Sequence, residues 1–367
     1  MSAPTAWLWV VAILISEWGH YAALAALLLA ALSWRTARAN ALLAIVTAGL
    51  CLSPAIRAAW IARSLPARLT AAFGEQSLIP KRGPLKLLDL LHGLRLPEVT
   101  VTEVVYAMNG RKPLELDLYQ AKNGVAPQPL IIVIHGGGWR SGSKKQLAAL
   151  PRYLARRSYA VAAINYRHAP GWPFPAAVED TFRAIDFLKA NAVEYRLDPA
   201  RVAIIGRSAG GQIALSAAYA KREPALRGVV AFYAPTDLVL GYQKPSRRWV
   251  FDSKKALENY LRGSPAENPE AYAAASPINF VDEGTPPTLL IHGALDPIVW
   301  PLHSELLVAR LKAENRPHFY LQLPWATHGC EANLSGPSGQ LSLYAIERFL
   351  AFAFSHPQPG APAPARP

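Results

Sequence analysis

The stretch VAIIGRSAGGQIALSAAYA, Val202 to Ala220, decides the fold. It opens as the apolar run of a buried strand, and from Ala209 small and apolar residues recur at helical spacing, so a strand turns into a helix at Gly206-Arg207-Ser208-Ala209-Gly210. Two readings of the serine follow. Either it is an N-cap whose oxygen accepts from the free N–H groups of the helix start, or it stands on a turn so tight that only small flanking residues let its hydroxyl clear the backbone, the G-x-S-x-G nucleophile elbow.

Outward from this point the chain alternates. Short β-rich runs at Leu130–Ile134, Ala160–Ile164, Val202–Ile205, Gly228–Phe232, Thr288–Ile291 and His318–Gln322 are separated by helical periods near Gln146–Arg157, Ala176–Asn191, Ala209–Ala220, Leu302–Glu314 and Gln340–Phe354. Such alternation predicts an α/β fold with a mostly parallel sheet covered on both faces. A hairpin precedes it, Val99–Tyr106 and Leu114–Tyr119 joined at Asn109-Gly110. The chain of 367 residues is 51% hydrophobic and 17% charged, which excludes bulk disorder. Its net charge of +13 is scattered, with no sustained basic block interleaved with aromatics, so no nucleic-acid partner is expected. Two cysteines, Cys51 and Cys330, exclude a disulfide framework or a zinc cluster, and no metal or organic cofactor is expected.

In parallel sheets the loops at the carboxyl ends of the strands carry the chemistry. After the first parallel strand stands IIVIHGGGWRSG, Ile131 to Gly142. Consecutive glycines leave backbone N–H groups unshielded, as a flexible loop, a phosphate nest or an oxyanion site requires. One strand-helix layer before the serine, Gly137 or Gly138 can converge with Ala209 on one oxygen. Downstream, LLIHGALDPIV puts Asp296 just beyond a strand, and LPWATHGC puts His328 in the loop between the last strand and the last helix. In the order Ser, Asp, His, His328 takes the Ser208 proton and Asp296 fixes the imidazole tautomer. Asp237 also follows a strand, but Asp296 follows the later one and lies nearer His328. His135 and His292, each at a strand end beside glycine, read as buried histidines bonded to backbone. Cys330 reads as a packing residue, and Trp139 as either a wall of the substrate pocket or core filling.

At these residues the chain resembles the α/β-hydrolase superfamily, in particular the esterase/lipase group with an HGGGW motif and a GxSAGG elbow, which includes hormone-sensitive-lipase-like and feruloyl-esterase-like branches. The resemblance covers roughly Val99 to Phe354, with Asn165 to Leu188 as a further segment typical of the group. It implies Ser208 as nucleophile, Asp296 as acid, His328 as base and Gly137, Gly138 and Ala209 as oxyanion donors. One departure is Arg207, which stands at an elbow position where many relatives carry Asp or Glu; the expectation is an altered local charge beside the nucleophile.

The N-terminus is of another kind. Ala6 to Leu32 is apolar apart from Ser16, Glu17 and His20, and Asn40 to Ile56 continues the bias until Arg57, with a little more apolar sequence through Ile61 and with Ser33 to Ala39 between the two runs. Each run is long enough to span a bilayer, so residues 1–62 are expected to form a transmembrane helical hairpin; with no basic residue ahead of the first run, it reads as a span rather than a cleaved leader. Arg57, Arg63, Arg68, Lys81, Arg82 and Lys86 outnumber the two arginines of the link, which puts both ends, and the catalytic domain, on the cytoplasmic side. Glu17 and His20 share a helical face, either paired with each other or the second helix, or forming an intramembrane site.

Residues 63–97 read as an amphipathic juxtamembrane linker punctuated by Pro66, Pro80, Pro84 and Pro97. Residues 98–355 form the hydrolase domain, and 356–367 a disordered Pro/Ala-rich tail. The stretch 239–275, with Tyr242, Trp249, Phe251 and Tyr260 among basic residues, interrupts the alternation as a lid over the site or as a plain helical elaboration. The expected activity is that of a membrane-anchored serine esterase acting on a small-molecule or lipid ester, with an amidase or peptidase, or a non-catalytic membrane module, as alternatives. The sequence does not give the oligomeric state.

Overall fold

The computed structural model describes residues 3–75, 82–96, 98–122, 124 and 127–355. The expected tail, and with it Lys81, Pro80 and Pro97, lies outside them. An eight-stranded sheet runs in the order β1-β2-β4-β3-β5-β6-β7-β8. β1 (Thr100–Asn109) and β2 (Lys112–Gln120) form the expected hairpin. β2 is antiparallel to β4 (Ala160–Ile164), and every later pairing, through β3 (Gln128–Ile134), β5 (Leu197–Arg207), β6 (Leu226–Phe232), β7 (Thr288–Gly293) and β8 (His318–Leu323), is parallel. The central strands are buried along both faces, which is why they read as continuous apolar runs rather than alternations.

Among the described residues, α4 (Ala149–Ala155), α5 (Ala176–Ala190), α6 (Ala209–Ala220), α10 (Leu302–Ala313) and α11 (Pro337–Ser355) cover the sheet. Three more, α7 (Leu238–Gln243), α8 (Ser253–Leu261) and α9 (Pro269–Ala275), fold from the stretch that interrupts the alternation.

Ahead of the sheet stand α1 (Ala6–Ser33), α2 (Arg38–Phe73) and the short α3 (Leu87–His92). Both long helices are apolar and long enough to cross a membrane, and most of their apolar stretch is unburied. They cross closely through small residues. A Cβ on Gly19 would stand 2.6 Å from the Cys51 carbonyl oxygen, and Ala23 and Ala26 are buried in one cluster with Ala48 and Cys51.

Two expectations need correction. The helical break near residue 62 is absent: α2 carries Pro54 and Pro66 inside it and continues to Phe73, because its last turns bury Leu65, Leu69 and Phe73 in the hydrolase core, where Phe73 packs edge-on against Phe349. Glu17 and His20 do not pair with each other or with α2. Glu17 instead accepts a hydrogen bond from the Ser338 N–H at 3.2 Å, at the start of α11.

Candidate active site

The β5–α6 turn explains its own glycines. A Cβ on Gly206 would stand 2.1 Å from the Gly210 carbonyl oxygen, and one on Gly210 would stand 2.3 Å from that of His135. Ser208 takes φ 53° and ψ −124°, a conformation that costs an L-residue strain and that only the surrounding packing holds. Its side chain makes no cap bond to α6. The Ser208 hydroxyl is bonded to His328 Nε2 at 2.9 Å instead.

His328 sits in the loop after β8, with its Nδ1 2.7 Å from Asp296 Oδ2. Asp296 is fully buried beyond β7, and its other oxygen accepts from the Ile298 and Val299 N–H groups at 2.8 and 2.9 Å. Burial alone would raise this carboxyl's pKa, but attraction to His328 and hydrogen bonds from His292 and His328 outweigh it and hold the group well below the usual carboxylate range. An ionised carboxylate only accepts, so Nδ1–H donates to Asp296 and Nε2 is left to accept from the serine. The three side chains are thus one connected chain of hydrogen bonds.

The glycine loop after β3 passes beside the serine. A Cβ on Gly136 would lie 3.4 Å from Ser208 Cβ, and Gly137 and Gly138 take φ of 120° and 58°, which glycine alone adopts freely. Among the described residues, the N–H groups of Gly137 and Gly138 donate to nothing. That of Ala209 opens α6, where a helix offers no acceptor. These donors border two spaces that meet at Ser208: a small apolar pocket lined in part by Trp139, Leu238, Phe251 and Leu257, and a wider cleft lined in part by Trp9, Arg140, Tyr233 and His328. The interrupting stretch therefore does wall the site, although of its four aromatics only Phe251 faces it. Trp139 both lines the pocket and packs, stacked on Tyr260 with ring centroids 4.5 Å apart and donating to Gln212 Oε1 at 2.8 Å. Asp237 caps α7, accepting from Leu240 N–H at 2.9 Å, away from the serine's chain of bonds.

This geometry can pass a proton from a hydroxyl to an imidazole while an oxyanion forms beside unpaired amides. In comparison with known proteins, the BD-FAE family model matches residues 116–311. The chain belongs to the BD-FAE family. Esterase LipQ of Mycobacterium tuberculosis is 30% identical over 273 residues, 70% of this chain and 63% of LipQ. The probable carboxylic ester hydrolase LipM of the same organism is 30% identical over 270 residues, 70% of this chain and 60% of LipM. The chain thus spans about three-fifths of the length of these curated relatives. Among solved structures, an esterase from Pyrobaculum calidifontis superposes with a TM-score of 0.57 at 26% identity, covering 70% of this chain and 86% of that one. A bacterial heroin esterase gives 0.59 at 24% identity, covering 80% and 98%. The fold is that of an α/β-hydrolase.

Of the residues around this BD-FAE chain's site, Tyr233 and Glu331 carry no signal in the sequence, while His292 is the buried, backbone-bonded histidine expected. His292 Nε2 donates to the Val299 carbonyl at 2.9 Å and lies 3.3 Å from Asp296 Oδ2, bracing the Asp296 loop. The Tyr233 ring packs on the His328 imidazole with centroids 4.2 Å apart, and its hydroxyl donates to Glu331. Glu331 also pairs with Arg207, whose Nε lies 3.1 Å away, so the expected change of charge beside Ser208 is offset within the protein. Cys330 is buried, and burial pushes its thiol pKa well up, which leaves it an inert packing group.

Proposed function

We propose that this protein is a membrane-held carboxylic ester hydrolase working through an acyl-enzyme, with Ser208, His328 and Asp296 as its triad. The carrying observation is the continuous bond path from Ser208 Oγ to His328 at 2.9 Å and on to Asp296 at 2.7 Å, beside a strained elbow. His328 Nε2 takes the hydroxyl proton as Ser208 Oγ attacks the ester carbonyl. The resulting oxyanion accepts from the N–H groups of Gly137, Gly138 and Ala209, each donor worth about 3 kcal/mol in such sites. Collapse breaks the bond to the alcohol, which leaves with the proton from His328. Water, deprotonated by His328, then releases the acid and restores the serine. Trp139 lines the space beside the serine and contacts the substrate.

The relatives' names support the reaction class: LipQ and LipM are an esterase and a probable carboxylic ester hydrolase, and a probable isoprenylcysteine α-carbonyl methylesterase of Arabidopsis thaliana is 36% identical over 111 residues. The apolar α1 and α2 support anchoring, with the catalytic domain on the cytoplasmic side by the distribution of arginine and lysine. The test is labelling by a fluorophosphonate probe, expected in the native chain and lost in Ser208→Ala, together with release of p-nitrophenol from acyl esters and not p-nitroaniline from matched anilides. Labelling that persists in Ser208→Ala would sink the assignment of the nucleophile, and preferential anilide cleavage would make the enzyme an amidase.

A further inference from the structure

Helix α1 is joined to the loop that carries His328. Trp9, Ile13, Ser16 and Glu17 follow one another at helical spacing on one face of it. Trp9 Nε1 donates to the His328 carbonyl at 2.8 Å, and its ring meets the imidazole edge-on with centroids 6.2 Å apart. Ile13 reaches Gly329, where a Cβ would stand 3.3 Å from Ile13 Cδ1. The Ser16 hydroxyl donates to the Trp325 carbonyl at 3.4 Å, and the Glu17 carbonyl accepts from Asn333 Nδ2 at 3.1 Å. An anchor that served only as a tether would leave the catalytic loop alone; this one supports it on both sides of the histidine.

Trp9 also lines the wider cleft beside Ser208. The outer face of the same helical turns shows Trp7, 64% exposed, with Val10 and Leu14, and the Ala6 N–H donates at 3.1 Å to the carbonyl of Trp249, itself 82% exposed. The cleft therefore meets an apolar surface that continues along α1. A water-borne ester needs no such rim, because exposed apolar area of this kind is costly unless something apolar covers it.

We propose, resting on the ester-hydrolase reading, that Trp9 is a substrate-contacting residue that sets chain-length specificity, and that the substrate is an ester with a long hydrocarbon chain reaching Ser208 along α1 from the bilayer. Trp9 packs on the chain while its N–H holds the His328 loop. The aromatic face of Trp9 selects against short acyl groups, which do not reach it, while the outer face of α1 only meets the bilayer.

The experiment uses the full chain in phosphatidylcholine vesicles, with p-nitrophenyl palmitate and p-nitrophenyl butyrate as probes. The ratio of their kcat/KM values is expected to fall about 10- to 100-fold in Trp9→Ala, the range for a lost apolar contact in a pocket. Trp7→Ala, on the outward face, is expected to leave the ratio at the native value. An unchanged ratio in Trp9→Ala, or an equal fall in Trp7→Ala, overturns the inference. Fluorophosphonate labelling separates the two levels: a native chain that does not label at Ser208 defeats the hydrolase reading itself, whereas labelling with an unmoved ratio defeats only the role of Trp9. Should Trp9→Ala fail to label, the comparison passes to Trp9→Leu, for which a fall in the ratio supports the inference and a native ratio overturns it.

Discussion

Arg207 and Glu331 form a buried ion pair, Nε to Oε1 3.1 Å, between the turn that carries Ser208 and the loop that carries His328. The elbow supplies the cation and the His328 loop the anion, so the pair ties together the two segments whose spacing sets the Ser208–His328 bond. Glu331 also accepts from the Tyr233 hydroxyl, and the Tyr233 ring rests on the imidazole. Removing one member leaves an uncompensated charge in the interior, a loss of about 3–5 kcal/mol, whereas replacing both with apolar groups of similar volume is far milder. Glu331→Leu is accordingly expected to lower the melting temperature sharply and Arg207→Met/Glu331→Leu to recover much of the loss. A double variant that melts no higher than the single one counts against this account.

The glycine loop gives a second expectation. Alanine at Gly137 must adopt φ 120° with its Cβ 2.0 Å from the Ser141 carbonyl oxygen, so the turn has to open. The N–H groups then leave the position of the oxyanion, and kcat should fall about 10²- to 10³-fold, the cost of a lost oxyanion donor. The substrate's ground-state contacts lie elsewhere, so KM should move little. Steady-state kinetics on p-nitrophenyl butyrate decide it: a Gly137→Ala enzyme with near-native kcat rules the loop out as the oxyanion site.

Much of this was legible because each signal was local. Val202–Ile205 is apolar on both strand faces, the glycines of the elbow and the loop mark close backbone approaches, and Asp296 and His328 each follow a strand end. What escaped the sequence depends on contacts across the chain. Pro66 reads as a breaker, yet Leu65, Leu69 and Phe73 bury enough apolar surface in the core to carry α2 through it. Trp9 belongs to an all-round apolar helix, whose pattern does not distinguish a face toward lipid from one toward a catalytic loop. Arg207 found its partner on the His328 loop, a pairing that no spacing along the chain announces.

Acid should destabilise the fold before it touches the Asp296 carboxylate. Burial lowers the pKa of His135 to about 4 and that of His303 to about 3, from an ordinary value near 6.5. His303 Nδ1 accepts weakly from the Thr236 N–H at 3.3 Å, a bond open only to the neutral ring. Between about pH 6.5 and pH 4 the unfolded chain binds protons that the folded one refuses, so stability is full above that window and drains as pH falls through it. A tenfold difference in proton affinity between the folded and unfolded chain is worth roughly 1.4 kcal/mol, so the two rings together cost on the order of several kcal/mol. Asp296 adds nothing to this slope, because its depressed carboxyl stabilises the fold throughout the window and is lost only at lower pH. Melting temperatures in detergent at pH 7.5 and 5 test it; equal values would mean that neither ring stays neutral in the folded protein.

The last expectation concerns the crossing of α1 and α2. Gly19 lets the two backbones touch, since any Cβ there would stand 2.6 Å from the Cys51 carbonyl oxygen, and Ala23 and Ala26 continue the close seam. Leucine at Gly19 must push α1 away from α2, an overpacking cost of about 1–3 kcal/mol. Because α1 is pinned to the His328 loop by Trp9 and Ser16 and to Asn333 and Ser338 by Glu17, the displacement has to be shared with the sheet domain rather than absorbed by a free helix. Gly19→Leu should therefore both lower the melting temperature and slow fluorophosphonate labelling of Ser208, whereas Gly49→Leu, on the second helix with open space around it, should do neither. A melting temperature that falls no further for Gly19→Leu than for Gly49→Leu, or labelling at the native rate in both, would show that the hairpin and the catalytic loop move independently.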